Sequence, residues 1–239
     1  MKSFINRILN RNLASDRIVN VASYVRDEWI KQKAKMIDSG SRVLDAGAGQ
    51  CPYRHLFSHC DYKAQDFAQY KGSETESWQY KDLDYVSDIT NIPVADNSFD
   101  VVICTEVLEH LPRPIEALKE LSRVLDHGGR LLLTAPLSSG IHQTPYFFYG
   151  GYSPQFYSKF LSENGLEIKE IKPICGLMKH VAQEIYRAGQ VLDSRSHRKM
   201  SAVVKYILMC WLPVFLAKLD DEVFVEEFTI GYMVEAQKK

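Results

Sequence analysis

The sequence lacks the features that mark disulfide-stapled, zinc-binding or strongly basic proteins. Its cysteines are odd in number, scattered and never arranged as CxxC: Cys51, Cys60, Cys104, Cys175 and Cys210. Neither a disulfide framework nor a zinc site is therefore expected. The 29 basic and 30 acidic residues leave a formal net charge of -1, which gives no global attraction to nucleic acid or to anionic membranes. We expect reduced thiols, a cytoplasmic location and no nucleic-acid partner.

Internal repeats, low-complexity tracts and Gly/Ser linkers are also absent, so we predict a single domain over residues 1–239. Residues 1–38 are predicted to form an N-terminal helical cap that starts with the basic, apolar segment MKSFINRILNRNL. The most apolar stretch, VVKYILMCWLPVFLA at 203–217, is predicted to be too short to span a bilayer. It lies in a predicted helical insertion, residues 174–220. A buried cap is the preferred role for this insertion, and an oligomer interface or a peripheral membrane contact stays open.

Apolar segments bounded by turn residues recur along the chain and predict strands. They are RVLDA (42–46), DYKAQD (61–66), DYVSD (84–88), FDVVIC (99–104), GRLLLTA (129–135), LEIKEI (166–171) and FTIGYMVEA (228–236). The clearest helix between them is RPIEALKELSRVL, with one apolar face and a glycine pair at its end: Ile115, Leu118, Leu121 and Leu125, then Gly128 and Gly129. Strands that alternate with helices indicate a doubly wound α/β fold with a mostly parallel sheet.

The segment VLDAGAGQCPYRHLF (43–57) begins like a dinucleotide-binding loop and then departs from that pattern. Gly47 and Gly49 are present, but Pro52 occupies the position of the third glycine. Pro52 suits the first turn of a following helix, where its missing N–H has no cost. Asp45 ends the predicted strand, and its carboxylate would repel phosphates and attract a cation. S-adenosylmethionine carries a sulfonium and an ammonium and no phosphate, so the loop favours it over NAD.

These residues resemble the first motif of the class I S-adenosylmethionine-dependent methyltransferases. That motif places an acid and G-x-G-x-G after the first strand, which correspond here to Asp45, Gly47 and Gly49, with Cys51 where a third glycine is usual. The resemblance covers about residues 40–172. It implies a Rossmann-like sheet of seven strands, the last of them antiparallel, with a helical insertion before it.

The same resemblance implies further cofactor-binding residues. Asp66 corresponds to the acid that holds both ribose hydroxyls, as the acid after a second strand does in dinucleotide sites. Asp88 and Ile89 correspond to the pair that contacts adenine, where the carboxylate reads the exocyclic amine and the aliphatic chain packs on the ring. Cys104 and Thr105 are expected to pass their backbone beside the methionine moiety.

The acceptor side is less well defined by the sequence. Methyl transfer from a sulfonium needs positioning, and a base when the acceptor is a hydroxyl. His142 is the first candidate base because imidazole titrates near neutrality, and His110 in EVLEH is the second, with a structural role preferred. Aromatic residues after the fifth strand are expected to wall the acceptor pocket, with a glycine pair that allows movement: Tyr146, Phe147, Phe148, Tyr149 and Tyr152, with Gly150 and Gly151.

A divalent metal is the weaker alternative. Glu106, Glu109, His110 and His142 resemble the ligand set of small-RNA 2′-O-methyltransferases, and carboxylates with imidazole suit a cation that polarises a hydroxyl. The pentapeptide EVLEH (106–110) also resembles that of metal-free relatives, so a site without metal is favoured.

The predicted function is S-adenosylmethionine-dependent methylation, preferentially on oxygen, of a small-molecule, glycan or lipid-linked acceptor. Three alternatives stay open: a NAD-dependent oxidoreductase, a binding protein of the same fold without turnover, and a metal-assisted RNA 2′-O-methyltransferase.

Overall fold

The computed structural model of the chain describes residues 16–73, 76–195 and 200–239. The segment MKSFINRILNRNL and residues 196–199, SHRK, lie outside the described residues. The chain divides into two compact units, of which the first joins the N-terminal part up to Asp27 with Pro173–Ile230, and the second joins Glu28–Lys172 with Gly231–Lys239. The single-domain boundaries and the 174–220 insertion stay predictions.

The second unit contains a seven-stranded sheet. In chain order the strands of the described residues are β1 (Arg42–Ala46), β2 (Asp61–Asp66), β3 (Gly72–Ser73), β4 (Glu76–Ser77), β5 (Tyr85–Val86), β6 (Phe99–Thr105), β7 (Leu125–Pro136), β8 (Leu166–Pro173) and β9 (Gly231–Lys238). The sheet order is β5-β2-β1-β6-β7-β9-β8, while β3 and β4 form a separate hairpin. β1 is parallel to β2 and β6, β6 to β7, and β2 to β5, whereas β9 is antiparallel to β7. The predicted Rossmann-like α/β fold is therefore confirmed.

The central strands β1, β6 and β7 are almost wholly buried, as expected for parallel strands that are covered on both faces. Leu44, Val102 and Leu133 are completely buried in the main core. Helix α3 (Pro114–Val124) packs Leu118 and Leu121 into the same core.

Helix α3 corrects two details of the sequence prediction. Its chain becomes extended at Leu125, the first residue of β7, so the helix ends at Val124 and Gly128 lies inside the strand. Ile115 is 43% exposed and does not belong to the buried face. That face consists of Ala117, Leu118, Leu121 and Val124.

No α-helix lies between Pro52 and β2, all of which are described residues, contrary to the prediction of a helix directly after Pro52. The only helical structure between β1 and β2 is a 3₁₀ turn at Arg54–Phe57. The backbone N–H groups of Cys51, Leu56 and Cys60 donate to carbonyls three residues earlier, at 2.7–2.9 Å. These short turns replace the longer-range bonds of an α-helix in this connection.

The first unit is helical. Its elements are α1 (Asp16–Val19), the start of α2 (Val21–Ala34), α5 (Leu177–Arg195) and α6 (Ala202–Glu222), whereas α4 (Pro154–Glu163) belongs to the sheet unit. The buried Asp220 of α6 accepts hydrogen bonds from the backbone N–H groups of Gly176, Met178 and Lys179, and so caps α5.

Helix α6 has a π turn at Ile207–Trp211. It is 21 residues long, with a mean hydropathy of 1.8 in its most apolar window and 22% of that window buried. By length and composition the whole helix is therefore long enough to cross a membrane, because it extends beyond the predicted apolar stretch 203–217.

Candidate cofactor and acceptor site

The glycine loop lies where the strand order reverses, between the carboxyl ends of β1 and β6. Gly47 and Gly49 have left-handed φ values of +76° and +52°. A Cβ at Gly47 would lie 2.4 Å from Val107 Cγ2, and one at Gly49 would lie 2.9 Å from Trp78 Cζ2. Both positions therefore need glycine for conformation and for space.

Cys51 has a left-handed backbone, a conformation that glycine adopts more readily than other residues. Its φ is +54°, in the left-handed region, at a cost of about 1 kcal/mol for a non-glycine residue. Its thiol donates to the carbonyl oxygen of Lys81 (3.1 Å), and the Arg54 guanidinium donates to its sulfur (3.8 Å). These two contacts fix the Cys51 thiol within the loop.

The end of β2 holds the loop in place. The Gly47 and Ala48 N–H groups both donate to the Gln65 carbonyl oxygen at 2.9 Å. Asp66 is buried, and its carboxylate accepts the N–H groups of Gly49 and Ala68, each at 2.9 Å. Burial raises the pKa of Asp66, while these backbone bonds lower it. A carboxylate has about four lone-pair positions, so oxygen sites remain for further donors such as ribose hydroxyls.

Asp45 is also buried, with 2% of its surface exposed. The Tyr62 hydroxyl donates to its Oδ2 at 2.5 Å, and the Arg54 guanidinium lies over the Tyr62 ring, 4.8 Å from its centroid. Burial and, to a smaller extent, the charge of Asp66 raise the pKa of Asp45 to about 6, against the hydrogen bond from Tyr62 and the charge of Arg54. The predicted cation-attracting carboxylate is thus held where its charge is poorly compensated.

The predicted adenine pair is divided between surface and core. Asp88 is exposed, and its Oδ1 accepts the N–H and hydroxyl of Thr90, both at 2.8 Å. Ile89 is packed in the main core. Cys104 is likewise a core side chain, and burial raises its thiol pKa. Thr105, the last residue of β6, is half-buried.

The two candidate bases lie together. The rings of His110 and His142 are 4.8 Å apart between centroids, in an edge-on arrangement. Nδ1 of His110 lies 2.6 Å from the carbonyl oxygen of Tyr146, and Nδ1 of His142 lies 2.9 Å from that of Gly140. A carbonyl can only accept, so each Nδ1 carries the proton and each Nε2 keeps its lone pair when the ring is neutral. Burial lowers the pKa of His110 and favours its neutral form.

Three of the four predicted metal donors converge. Ligand atoms of Glu109, His110 and His142 lie within 4.8 Å of one another. Glu106 is not part of this group, because its carboxylate accepts the Thr134 hydroxyl at 2.8 Å. Its backbone φ of +54° directs the chain away from the cluster to a bond with the Thr134 carbonyl. The predicted four-residue ligand set is therefore not assembled.

The aromatic residues predicted to wall the acceptor pocket lie in different environments. The Tyr146 ring packs edge-on against Phe67, the residue after Asp66, with centroids 4.9 Å apart. Phe147 lies beside His142, also at 4.9 Å. Tyr152 is a core residue whose hydroxyl donates to the Leu108 carbonyl at 2.7 Å, and with Tyr149 it lines a pocket at the start of α3. Phe148 and Tyr149 are exposed.

Sequence reasoning missed Tyr62 and an aromatic group beside the glycine loop. The Trp78 ring contacts Gly49 and packs edge-on against Tyr70 and Tyr80, at centroid distances of 5.5 and 6.3 Å. Its Nε1 is buried without a hydrogen-bond partner among the described residues. The aromatic spacing in YKGSETESWQY was the available signal.

Comparisons with known proteins agree with this geometry. A family model described as a methyltransferase domain matches residues 41–133. The demethylmenaquinone methyltransferase of Paenarthrobacter aurescens is 35% identical over 97 residues, which cover 39% of this chain and 38% of that protein. The tRNA U34 carboxymethyltransferase of Nautilia profundicola is 38% identical over 107 residues, which cover 41% and 35%. The chain thus matches less than half the length of these curated relatives.

A solved structure, phosphoethanolamine N-methyltransferase 2 of Haemonchus contortus in complex with S-adenosyl-L-methionine, shares the fold. Its TM-score is 0.53 at 15% identity, over 98% of this chain and 60% of that one. The fold and the glycine loop define a Rossmann-like protein with a candidate ligand site at the end of β1. Residues 41–133 match a methyltransferase-domain family, and the chain is similar to class I S-adenosylmethionine-dependent methyltransferases, whose cofactor is S-adenosylmethionine.

Proposed function

We propose that the chain is a methyltransferase that binds S-adenosylmethionine at the ends of β1 and β2 and methylates a hydroxyl oxygen of a small-molecule, glycan or lipid-linked acceptor. The observation that carries this is the contact of Phe67 with Tyr146. It brings the ribose-binding candidate Asp66 and the imidazole pair to the same end of the sheet.

The donor half of the site uses charge and backbone. Asp66 accepts the ribose hydroxyls with its remaining lone pairs, and the glycines let the methionine part approach the loop closely. Asp45 provides the negative charge that attracts the sulfonium and ammonium, and Asp88 accepts from the adenine amine. Trp78 closes the loop from above Gly49.

The acceptor half needs a base. His142 has its Nδ1 bonded to a carbonyl, so its Nε2 can take a proton from a hydroxyl as that oxygen attacks the methyl group. His110 orients His142 by its edge-on ring contact. Phe147 supplies an apolar wall beside the base.

A second candidate is methylation of a ring carbon. The relative from Paenarthrobacter aurescens is named for demethylmenaquinone. Deprotonation of a ring hydroxyl by the same imidazole would activate the neighbouring carbon, so one base serves either outcome.

The cofactor part is tested by calorimetric titration with S-adenosylmethionine, S-adenosylhomocysteine and NAD. We expect both adenosyl ligands to bind and NAD not to bind. Asp66→Ala should weaken adenosyl binding by at least about tenfold, the value of a lost charged hydrogen bond. Asp61→Ala, at the exposed start of the same strand, is the matched control and should bind normally. Binding of NAD alone would overturn the assignment.

The transfer part is tested with methyl-labelled cofactor and three acceptor sets: small hydroxyl compounds, isoprenoid quinols and tRNA. We expect label on a hydroxyl acceptor, lost in His142→Ala at unchanged cofactor affinity. His127→Ala, at an exposed histidine whose Nδ1 meets the Lys239 carbonyl, should retain turnover. Label on a quinol carbon would select the second candidate, and label on tRNA alone would refute both.

A further inference from the structure

Helix α6 presents an apolar face that the first unit leaves uncovered. Val204, Ile207, Trp211 and Phe215 recur at intervals of three and four residues, which places them on one side of a helix. Trp211 and Phe215 are 52% and 45% exposed, and their rings are stacked with centroids 5.5 Å apart. These four residues are called the α6 apolar face.

The opposite side of α6 is apolar as well. Met209, Cys210, Pro213 and Ala217 are buried. Gly189 of α5 allows the close approach, since a Cβ there would lie 2.8 Å from Met209 Cγ. A helix that is apolar all round normally has all of its surface removed from water, either in a protein core or in a membrane. Only one side of α6 packs against other residues of the first unit.

In the sequence, basic residues precede and border the α6 apolar face, and the acidic residues Asp220, Asp221 and Glu222 follow it at the end of the helix. Between Asp193 and Asp220 the sequence contains five basic residues and no acidic one: Arg195, Arg198, Lys199, Lys205 and Lys218. Lys205 forms an ion pair with Asp193, whereas no ion pair involves Lys218 among those found for the described residues. Basic residues that flank an apolar helical face with Trp and Phe are typical of helices that lie on anionic bilayers.

A surface position fits better than a membrane span. The uncharged stretch between Lys205 and Lys218 is 12 residues, 206–217, which reach only about 18 Å in a helix against about 30 Å for the hydrocarbon core. Asp220 is also bonded to three backbone N–H groups at the start of α5, and insertion of α6 would break them.

We propose that the α6 apolar face docks on an anionic lipid bilayer, with α6 parallel to the membrane plane and its lysines among the headgroups. This site is independent of the cofactor loop.

The test is co-sedimentation of the full chain with vesicles of phosphatidylcholine, alone or mixed with phosphatidylglycerol. We expect binding to the mixed vesicles, weakened by salt, and a blue shift of tryptophan emission that Trp211→Phe abolishes. The double variant Trp211→Ser with Phe215→Ser should lower the partition coefficient at least about tenfold. Both side chains are exposed, so its circular dichroism and melting should match those of the wild type.

The matched control is Met36→Ser with Ile115→Ser, which removes exposed apolar groups from the sheet unit and should bind vesicles normally. Equal binding of the two double variants overturns the proposal, as does equal binding to neutral and anionic vesicles. Resistance of bound protein to carbonate extraction would indicate a spanning helix instead. A dimer in lipid-free solution that Trp211→Ser with Phe215→Ser converts to monomer would assign the face to self-association.

Discussion

We expect cofactor binding to depend on pH through the charge of Asp45. Burial raises the pKa of this carboxyl to about 6, so the free protein holds it mostly neutral at pH 5 and mostly ionised at pH 7. A cationic ligand binds the ionised form. If ionisation is required, the apparent Kd is multiplied by about 11 at pH 5 and by about 1.1 at pH 7, so binding at pH 5 is about tenfold weaker.

The assay is calorimetric titration with S-adenosylmethionine from pH 5 to pH 7, where the ligand's amino group stays protonated. Asp45→Asn keeps an oxygen for the Tyr62 hydroxyl but cannot titrate. It should bind more weakly than the wild type at pH 7 and lose most of the pH dependence, with the remainder due to Asp66 and His110. Tyr62→Phe removes a hydrogen bond that lowers the pKa of Asp45, so its midpoint should move to higher pH. An Asp45→Asn variant that retains the whole tenfold change would refute the reasoning.

Three further predictions concern the loop, the core and the metal alternative. Gly49→Ala places a Cβ 2.9 Å from Trp78 at a left-handed φ and should weaken cofactor binding at least about tenfold, whereas Gly140→Ala, with nothing within 4 Å of the new Cβ, should not. Tyr157→Phe removes a buried hydroxyl without a hydrogen-bond partner among the described residues. In urea unfolding it should leave stability unchanged or higher, while Tyr152→Phe, which loses the bond to Leu108, should cost about 1 kcal/mol. Methyl transfer should survive exhaustive EDTA treatment, and loss of activity restored by one divalent cation would instead assign the Glu109 cluster to a metal.

The strands and the glycine loop were predictable because they depend on local pattern. The predicted bounds of the first two strands, 42–46 and 61–66, coincide with β1 and β2. Buried parallel strands give continuous apolar runs, and the residues that follow them must turn. Gly47 and Gly49 were identifiable for the same reason, since few other residues adopt their φ values.

The partners of the site residues were not predictable, because they come from distant parts of the sequence. Tyr62 lies 17 positions from the carboxylate that it bonds, and Trp78 comes from a hairpin that the strand pattern did not indicate. Glu106 fits a metal motif by spacing, but its left-handed backbone directs it to Thr134. The spacing of residues in a motif indicates which of them belong to the same helix or strand, whereas the folded structure determines which side chains are in contact.

The environments of the two buried carboxylates explain why this loop suits a cation. Asp66 is stabilised as an anion by the backbone N–H groups of Gly49 and Ala68. Its charge then opposes ionisation of the nearby Asp45, which has a neutral phenol as its hydrogen-bond donor. A phosphate at this position would add a third negative charge, whereas a sulfonium and an ammonium would compensate the second. Under the proposed function, the cation of the ligand would add to the compensation that Arg54 gives Asp45, and ionisation of Asp45 would become part of the binding step.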